Sequence, residues 1–270
     1  MAHSIRTRIT LSGTQSMQTT PQRNPSIIII GTGMTGILMA IKLREAGISN
    51  LTILEKADSV GGTWRENTYP GVSCDVPAHL YAYSFAPFTE WDKRFAEGAQ
   101  LRHYFQRVAD DYGVTDTIRF NEAVTAAKFI DGQWHVTTSK NETLTADFVM
   151  CATGILHHPS YPNIPGLDDF KGIKFHTARW DHSHDLSDKK VGVIGTGSTA
   201  AQVIPALAGK AKKVNVFQRT AQWIYPRPDK DYSNAYKRIL RTFPFLANVI
   251  SVYWDFVYKN VFARAVIGKP

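Results

Sequence analysis

Two glycine-rich turns hold the residues best suited to chemistry in this sequence, and the chemistry they suit is phosphate binding. Gly31, Gly33 and Gly36 in GTGMTG follow directly on SIIII, residues 26–30, a β-branched apolar run expected of a parallel strand covered on both faces. The G-x-G-x-x-G spacing gives a tight turn, a position bare enough for a pyrophosphate, and a close contact of helix with strand. The helix expected next, to about Ala46, would aim free amides and its positive dipole end at the phosphates, with Thr35 in its first turn. A second strand, LTILE from Leu51, ends at Glu55, 24 residues past Gly31. A carboxylate there accepts hydrogen bonds from ribose hydroxyls, which suits an unphosphorylated adenosine ribose, as in FAD or NAD.

The pattern returns. KVGVI, residues 190–194, runs into GTGSTA, where Gly195, Gly197 and Ala200 fill the three positions, and KVNVFQ follows the helix. That third strand ends at Arg219, again 24 residues past the first glycine. The charge is reversed, and a guanidinium favours a 2′-phosphate by bidentate contact, so the second turn reads as an NADP site. Thr196, Ser198, Thr199 and Gln202 are placed to meet the NADPH pyrophosphate, and Arg219 and Thr220 the 2′-phosphate. Two structural glycine turns would not each supply strand, helix and charged strand end at matched spacing.

The elements that must position these residues make an α/β chain: two Rossmann-like dinucleotide-binding units with a β-hairpin insertion. A helix is expected from Gln100 to about Tyr112, and Val124–Ile130, the turn Asp131-Gly132 and Gln133–Thr138 read as the hairpin. DFVMC, Asp147 to Cys151, reads as a buried strand that returns the chain to the first sheet at Ala152, Thr153 and Gly154. Pro159, Pro162 and Pro165 mark a linker. The expected layout is a disordered tail over 1–24, an FAD unit over 25–156, a linker over 157–186 and an incomplete NADP unit over 187–270.

Composition agrees with a globular protein: 270 residues, 43% hydrophobic, 20% charged. The net charge of +8 attracts anions. No basic cluster interleaved with aromatics forms a nucleic-acid module, so phosphate-bearing cofactors are the expected partners and nucleic acid is not. Cys74 and Cys151 lie far apart with no C-x-x-C, against a disulfide scaffold, structural zinc or a dithiol centre, and for a reducing, cytoplasmic setting. The first acidic residue is Glu45, and Arg6, Arg8 and Arg23 form no amphipathic face, so a tail is preferred to a mitochondrial presequence. Phe243 to Ile267 is apolar but interrupted by Asp255, Lys259 and Arg264, so a buried or partner-facing helix is expected there, not a membrane span.

FKGIKFHTARWD, residues 170–181, resembles the F-x-G-x-x-x-H-x-x-x-W-[P/D] fingerprint of Baeyer–Villiger monooxygenases through Phe170, Gly172, His176, Trp180 and Asp181. GGTW at 61–64, YPGVSCD at 69–75 and FQRT at 217–220 match further motifs of that family, so the resemblance runs from about residue 25 to about residue 225. It implies an FAD enzyme that consumes NADPH and O2 and inserts one oxygen atom beside a ketone carbonyl, giving an ester or lactone, with sulfide oxidation alongside. By the resemblance, Gly62, Thr63 and Trp64 lie along the FAD, Asp75 near its isoalloxazine, Tyr81 against the flavin and Val124 by the adenine. His176 and Trp180 belong to a hinge that couples nicotinamide movement to the flavin. Simpler readings stand beside these: Asp75 capping a turn, Trp64 as core packing, and His176 as a structural imidazole. A metal cluster of His176, His182, His184, Asp181 and Asp185 matches no zinc spacing.

Members of that family are much longer, so the resemblance implies a chain incomplete at its C-terminus, and it leaves the activity of these 270 residues by themselves open. The catalytic Arg is expected beyond Pro270, since Arg227, Arg238, Arg241 and Arg264 match no family context. An N- or S-oxygenating flavin monooxygenase shares both turns, and a truncated, non-catalytic nucleotide-binding remnant is the alternative outside enzymes.

Overall fold

The computed structural model describes residues 24–224 and 226–266, so the expected tail lies almost wholly outside the described residues. Strand β1 (Ile27–Ile30) runs through the first glycine turn into helix α1 (Met34–Glu45), and β2 (Leu51–Leu54) returns beside β1 in parallel. A one-turn helix α2 (Thr63–Glu66) precedes a long aromatic-rich loop. Helix α3 (Gly98–Asp111) and the two-residue strand β3 (Ile118–Arg119) follow. Strands β4 (Val124–Ile130), β5 (Gln133–Thr138) and β6 (Thr143–Ala146) form an antiparallel sheet. Strand β7 (Phe148–Cys151) then pairs with the free side of β1, giving a parallel sheet in the order β3-β2-β1-β7.

The isoleucine run is explained by this layering, because successive strand side chains point to opposite faces. Ile27 and Ile29 enter a core with α1, α3 and the aromatic loop, where Trp91, Tyr104 and Phe105 are fully buried. Ile28 packs the other way, with Leu54, against Val136 and Ala146 of the antiparallel sheet. The expected hairpin forms over the expected residues, with Asp131 (φ 50°) and Gly132 (φ 81°) both left-handed, as a two-residue primed turn requires.

The second unit repeats the start of the first. Strand β8 (Lys190–Ile194), helix α4 (Ser198–Leu207) and strand β9 (Lys213–Phe217) form a parallel pair with the helix packed on it through Val203 and Leu207. Helices α5 (Asn234–Thr242) and α6 (Phe245–Val257) follow, and α6 continues through a wider turn, Tyr258–Phe262, into α7 (Ala263–Val266). Of the two readings for the helix expected over Phe243 to Ile267, buried or partner-facing, the buried one does not hold for α6. Ala247 is the residue of α6 that is buried, while Phe245, Val249, Val252, Tyr253 and Phe256 are exposed. Among the described residues no helix is long and apolar enough to cross a membrane.

Candidate functional site

The first glycine turn opens onto a cavity of about 720 Å³ at the carboxyl ends of β1, β2 and β7. Gly31, Gly33, Thr35 and Glu55 line it, as do Gly62, Thr63, Trp64 and Tyr81. Val124, Thr153 and Gly154 complete the expected residues brought together there. Gly36 lies behind the wall: a Cβ on it would come 1.9 Å from the Gly31 carbonyl oxygen, the tight helix-to-strand approach required of a third glycine.

Glu55 is 6% exposed, and its carboxylate is held in place by the chain itself. Its Oε2 accepts from the Thr32 backbone N–H (2.8 Å) and the Thr32 hydroxyl (2.6 Å), and its Oε1 accepts from the Ala57 N–H (2.9 Å). Oε1 keeps lone-pair capacity for a ligand hydroxyl. Thr32 is a site residue that the sequence reading missed. The signal available was a hydroxyl residue inside the turn, within reach of a charged strand end.

Gly33 and Gly62 meet backbone to backbone, since a Cβ on Gly62 would come 2.8 Å from the Gly33 Cα. This part of the wall therefore has no side chains, which leaves room for a bulky polar group against main-chain atoms. Trp64 donates through Nε1 to the Tyr81 hydroxyl (3.3 Å), with the rings edge to face at 5.6 Å. Trp64 both lines the cavity and packs on the main core, so the two readings of it coexist. Burial raises the Tyr81 phenol above its ordinary range, keeping it protonated.

Sequence reasoning did not name the ionisable side chains of this wall: Lys56, Glu66, Glu122, His157 and His158. Glu122 is fully buried and paired with Arg119 and Lys140. Lys56 pairs with one oxygen of Glu66 at 3.0 Å and Arg179 stands 3.9 Å from the other, Oε2, which like His157 Nδ1 is buried without a hydrogen-bond partner. Burial, with Lys56 nearby, lowers the pKa of His157. Buried polar atoms without partners are costly, and a polar ligand in the cavity would relieve both. The backbone wall, the fixed carboxylate and these two atoms fit a dinucleotide such as FAD.

Asp75 does not reach the wall. It is exposed, its carbonyl accepts from the Tyr258 hydroxyl (3.0 Å), and its negative charge helps raise the pKa values of Tyr69, Tyr81 and Tyr258 after burial. At the second turn, Gly195 and Gly197 have nothing within 4 Å where a Cβ would stand, and Ser198 opens α4 with its first amides free of a side-chain cap. Ala200 is buried against the strand pair. Thr196 donates weakly to the Thr220 carbonyl (3.5 Å), and Arg219 and Thr220 are exposed just beyond β9.

Gln202 is engaged with another loop. It sits on the second turn of α4, beyond the free amides, and its side chain turns to the loop after α2: Oε1 accepts from the Tyr69 hydroxyl (3.1 Å) and the Ser73 N–H (3.1 Å), and Nε2 donates to the Ser73 carbonyl (3.0 Å). The amide oxygen is fully used and one Nε2 N–H is spent on this loop, while the second N–H has no partner among these three bonds.

The fingerprint segment bridges the two units. His176 caps a short turn, Thr177–Arg179, through Nδ1, which accepts from the Ala178 N–H (3.1 Å). Trp180 packs beside Tyr69 and Val203, and its ring meets Phe175 edge-on at 5.1 Å. Asp181 closes a local turn by accepting from the Ser183 N–H and hydroxyl, and His182 shares a hydrogen bond with Thr68 (2.8 Å). No group that could hold a metal ion occurs among the described residues.

The family model for the pyridine nucleotide-disulphide oxidoreductases matches residues 28–243. The chain belongs to that family. Within it, the resemblance to Baeyer–Villiger monooxygenases holds over the N-terminal part of those proteins. The chain is 44% identical over 220 residues to a Baeyer–Villiger monooxygenase of Streptomyces coelicolor, covering 81% of this chain and 42% of that one. It is 48% identical over 227 residues to an uncharacterised monooxygenase of Mycobacterium tuberculosis, covering 84% and 46%. A crystal structure of OTEMO in complex with FAD and NADP superposes with a TM-score of 0.74 at 37% identity, covering 82% of this chain and 44% of that one. The chain thus spans less than half the length of these relatives. The disulphide chemistry in the name of this pyridine nucleotide-disulphide oxidoreductase family has no paired thiols here: Cys74, buried, and Cys151, exposed, are both free.

Proposed function

We propose that this chain is the cofactor-binding part of a Baeyer–Villiger monooxygenase, with FAD in the cavity at the first turn and NADPH at the second. The net reaction takes a ketone, O2, NADPH and a proton to an ester or lactone, water and NADP+. Bound FAD supplies the oxygen-activating ring and NADPH the hydride that reduces it. The observation that carries the reading is Glu55, a buried carboxylate fixed by Thr32 and Ala57 at the end of β2, in the wall of a cavity bounded by bare glycine backbone.

The residues have separate tasks in this reading. Gly33, Gly62 and the first amides of α1 receive the pyrophosphate, and Glu55 accepts from the adenosine ribose. Trp64 and Tyr81 cover the flavin side and keep water out, which oxygen transfer to a ketone requires. Asp75 lies off the cavity wall, and in this reading it acts on the site only through its charge near Tyr69, Tyr81 and Tyr258. At the second turn Ser198 and Thr199 face the NADPH phosphates, and Arg219 with Thr220 selects the 2′-phosphate. His176 and Trp180 hold the crossing segment and act through its position, not on reacting atoms.

The test is stepwise. The purified chain is mixed with FAD, freed of excess and examined for visible flavin absorbance, and NADPH is then titrated against NADH. Products from a panel of ketones and sulfides are analysed with this chain and, if its reading frame runs past Pro270, with the longer product. No retained flavin sinks the assignment of the first site. Retained flavin with oxygenated sulfide or amine but no ester places the protein with the N- or S-oxygenating flavin monooxygenases, and binding without any product favours a non-catalytic remnant.

A further inference from the structure

We propose that Gln202 is a positioning residue, which holds the loop Tyr69–Asp75 against helix α4 and so sets the flavin-side loop relative to the second nucleotide turn. The inference rests on the reading above where it concerns cofactors, and on geometry alone where it concerns the loop.

The contact is built from both sides. One amide makes three hydrogen bonds, to the Tyr69 hydroxyl and to both backbone groups of Ser73. Tyr69 and Ser73 are each 7% exposed, so these bonds are shielded from water. Between them Gly71, with φ +81°, lies so close to α4 that a Cβ would stand 2.7 Å from the Gln202 carbonyl oxygen. Any other residue there would push the loop off the helix. Arg227 fastens the next residues, donating to the Ser73 hydroxyl (2.7 Å) and the Cys74 carbonyl (3.0 Å). Thr199, in the first turn of α4, stands near enough to the Tyr69 hydroxyl to offset part of the pKa rise that burial causes there.

The other side of the loop bears on the cavity. Val72 accepts at its carbonyl from the Gly98 N–H (3.0 Å), and a Cβ on Gly98 would touch the Val72 side chain at 3.1 Å and the Trp64 ring at 3.5 Å. The loop is therefore packed between α4, which carries the second turn, and Trp64, which lines the first cavity. Thr199 stands at the nucleotide end of α4, and Gln202, one turn along, transmits the helix position to the loop without meeting the dinucleotide.

Hydrogen exchange on the 270-residue chain without cofactor tests the geometric half. Gln202→Leu should speed amide exchange in the segment 69–75 by about tenfold or more, the effect of losing shielded hydrogen bonds. The segment 27–54 serves as control and should not change. Gln202→Glu keeps an acceptor for Tyr69 and for the Ser73 N–H but sets a charged oxygen against the Ser73 carbonyl, and should also speed exchange at 69–75. Tyr69→Phe, which removes one donor, should give a smaller rise. Unchanged exchange at 69–75 in Gln202→Leu overturns the proposal. Should that variant loosen the control as well, Tyr69→Phe decides: a rise confined to 69–75 supports the clamp, and none refutes it.

The second half uses NADP+ binding by equilibrium dialysis. A positioning residue predicts a Kd for Gln202→Leu within about threefold of wild type, because no ligand contact is lost. Weakening by tenfold or more, with exchange at 69–75 unchanged, would return Gln202 to the pyrophosphate and overturn the proposal. A wild-type chain that binds no NADP+ fails the functional reading, while the exchange experiment still judges the clamp.

Discussion

The two glycine turns are near copies in sequence, yet the structure surrounds them differently. In the first, β1 has β2 and β7 on its two sides, and the loop at 61–64 closes over the turn. In the second, β8 has β9 as its one ladder neighbour among the described residues, Ile194 and Phe217 are more than half exposed, and nothing stands within 4 Å of the Cβ positions of Gly195 and Gly197. The third glycine position is likewise unequal. Gly36 has no room for a methyl group, whereas Ala200 carries one at the equivalent place. A turn motif thus specifies strand, turn and helix, while a closed site needs a third strand and a covering loop from distant sequence.

The largest test of this contrast is Gly36→Ala. A Cβ 1.9 Å from the Gly31 carbonyl forces helix and strand apart, and should cost about 3 kcal/mol or more in urea unfolding. The opposite change in the second unit, Ala200→Gly, should cost about 1 kcal/mol, mainly through helix propensity. Equal losses would erase the asymmetry.

Acid should act where the aromatic loop of the first unit meets α5. His79 is 4% exposed, shares a hydrogen bond with the Tyr236 hydroxyl (3.0 Å), and is pushed down by burial from 6.5 to about 4. Its pKa is lower folded than unfolded, so the unfolded chain takes up the proton first. Stability is full above about pH 6.5 and falls as pH drops toward 4, by about 3 kcal/mol from this residue. Unfolding curves across that window should flatten in His79→Phe, and an unchanged slope would remove His79 as the cause.

Glu55 and Arg219, at matched spacing, should differ as their surroundings do. Glu55→Gln sets an amide against three donors and should cost about 1–3 kcal/mol. Arg219→Ala, at an exposed position, should change stability by less than about 0.5 kcal/mol. Its effect should fall on the cofactor, weakening NADPH far more than NADH, and equal weakening of both would count against phosphate recognition.

Much of this was legible in sequence where local pattern sufficed. The isoleucine run, both glycine turns, the Asp131-Gly132 hairpin and the matched strand ends all declare themselves within a few residues. Strand β6 and the short β3 do not, because each exists through pairing with a strand already in place. The loop over 67–97 carries Tyr69, Tyr83, Phe88, Trp91 and Phe95 into the interior with no helical or strand period, so its burial depends on contacts with α3 and α4. Gln202 shows the same limit: position in the motif suggested a phosphate, while its hydrogen-bond partners at 69–73 lie about 130 residues away.

The facing pair Gly33 and Gly62 has a consequence for how the gene can change. Gly62 also holds φ +52°, so a side chain there is both strained and obstructed, whereas a Cβ on Gly33 would meet the Gly62 Cα at 3.6 Å, an ordinary contact. A library randomised at both codons and selected for folded protein alone should keep glycine at 62 and admit a small residue at 33, and selection for bound flavin as well should restore glycine at 33.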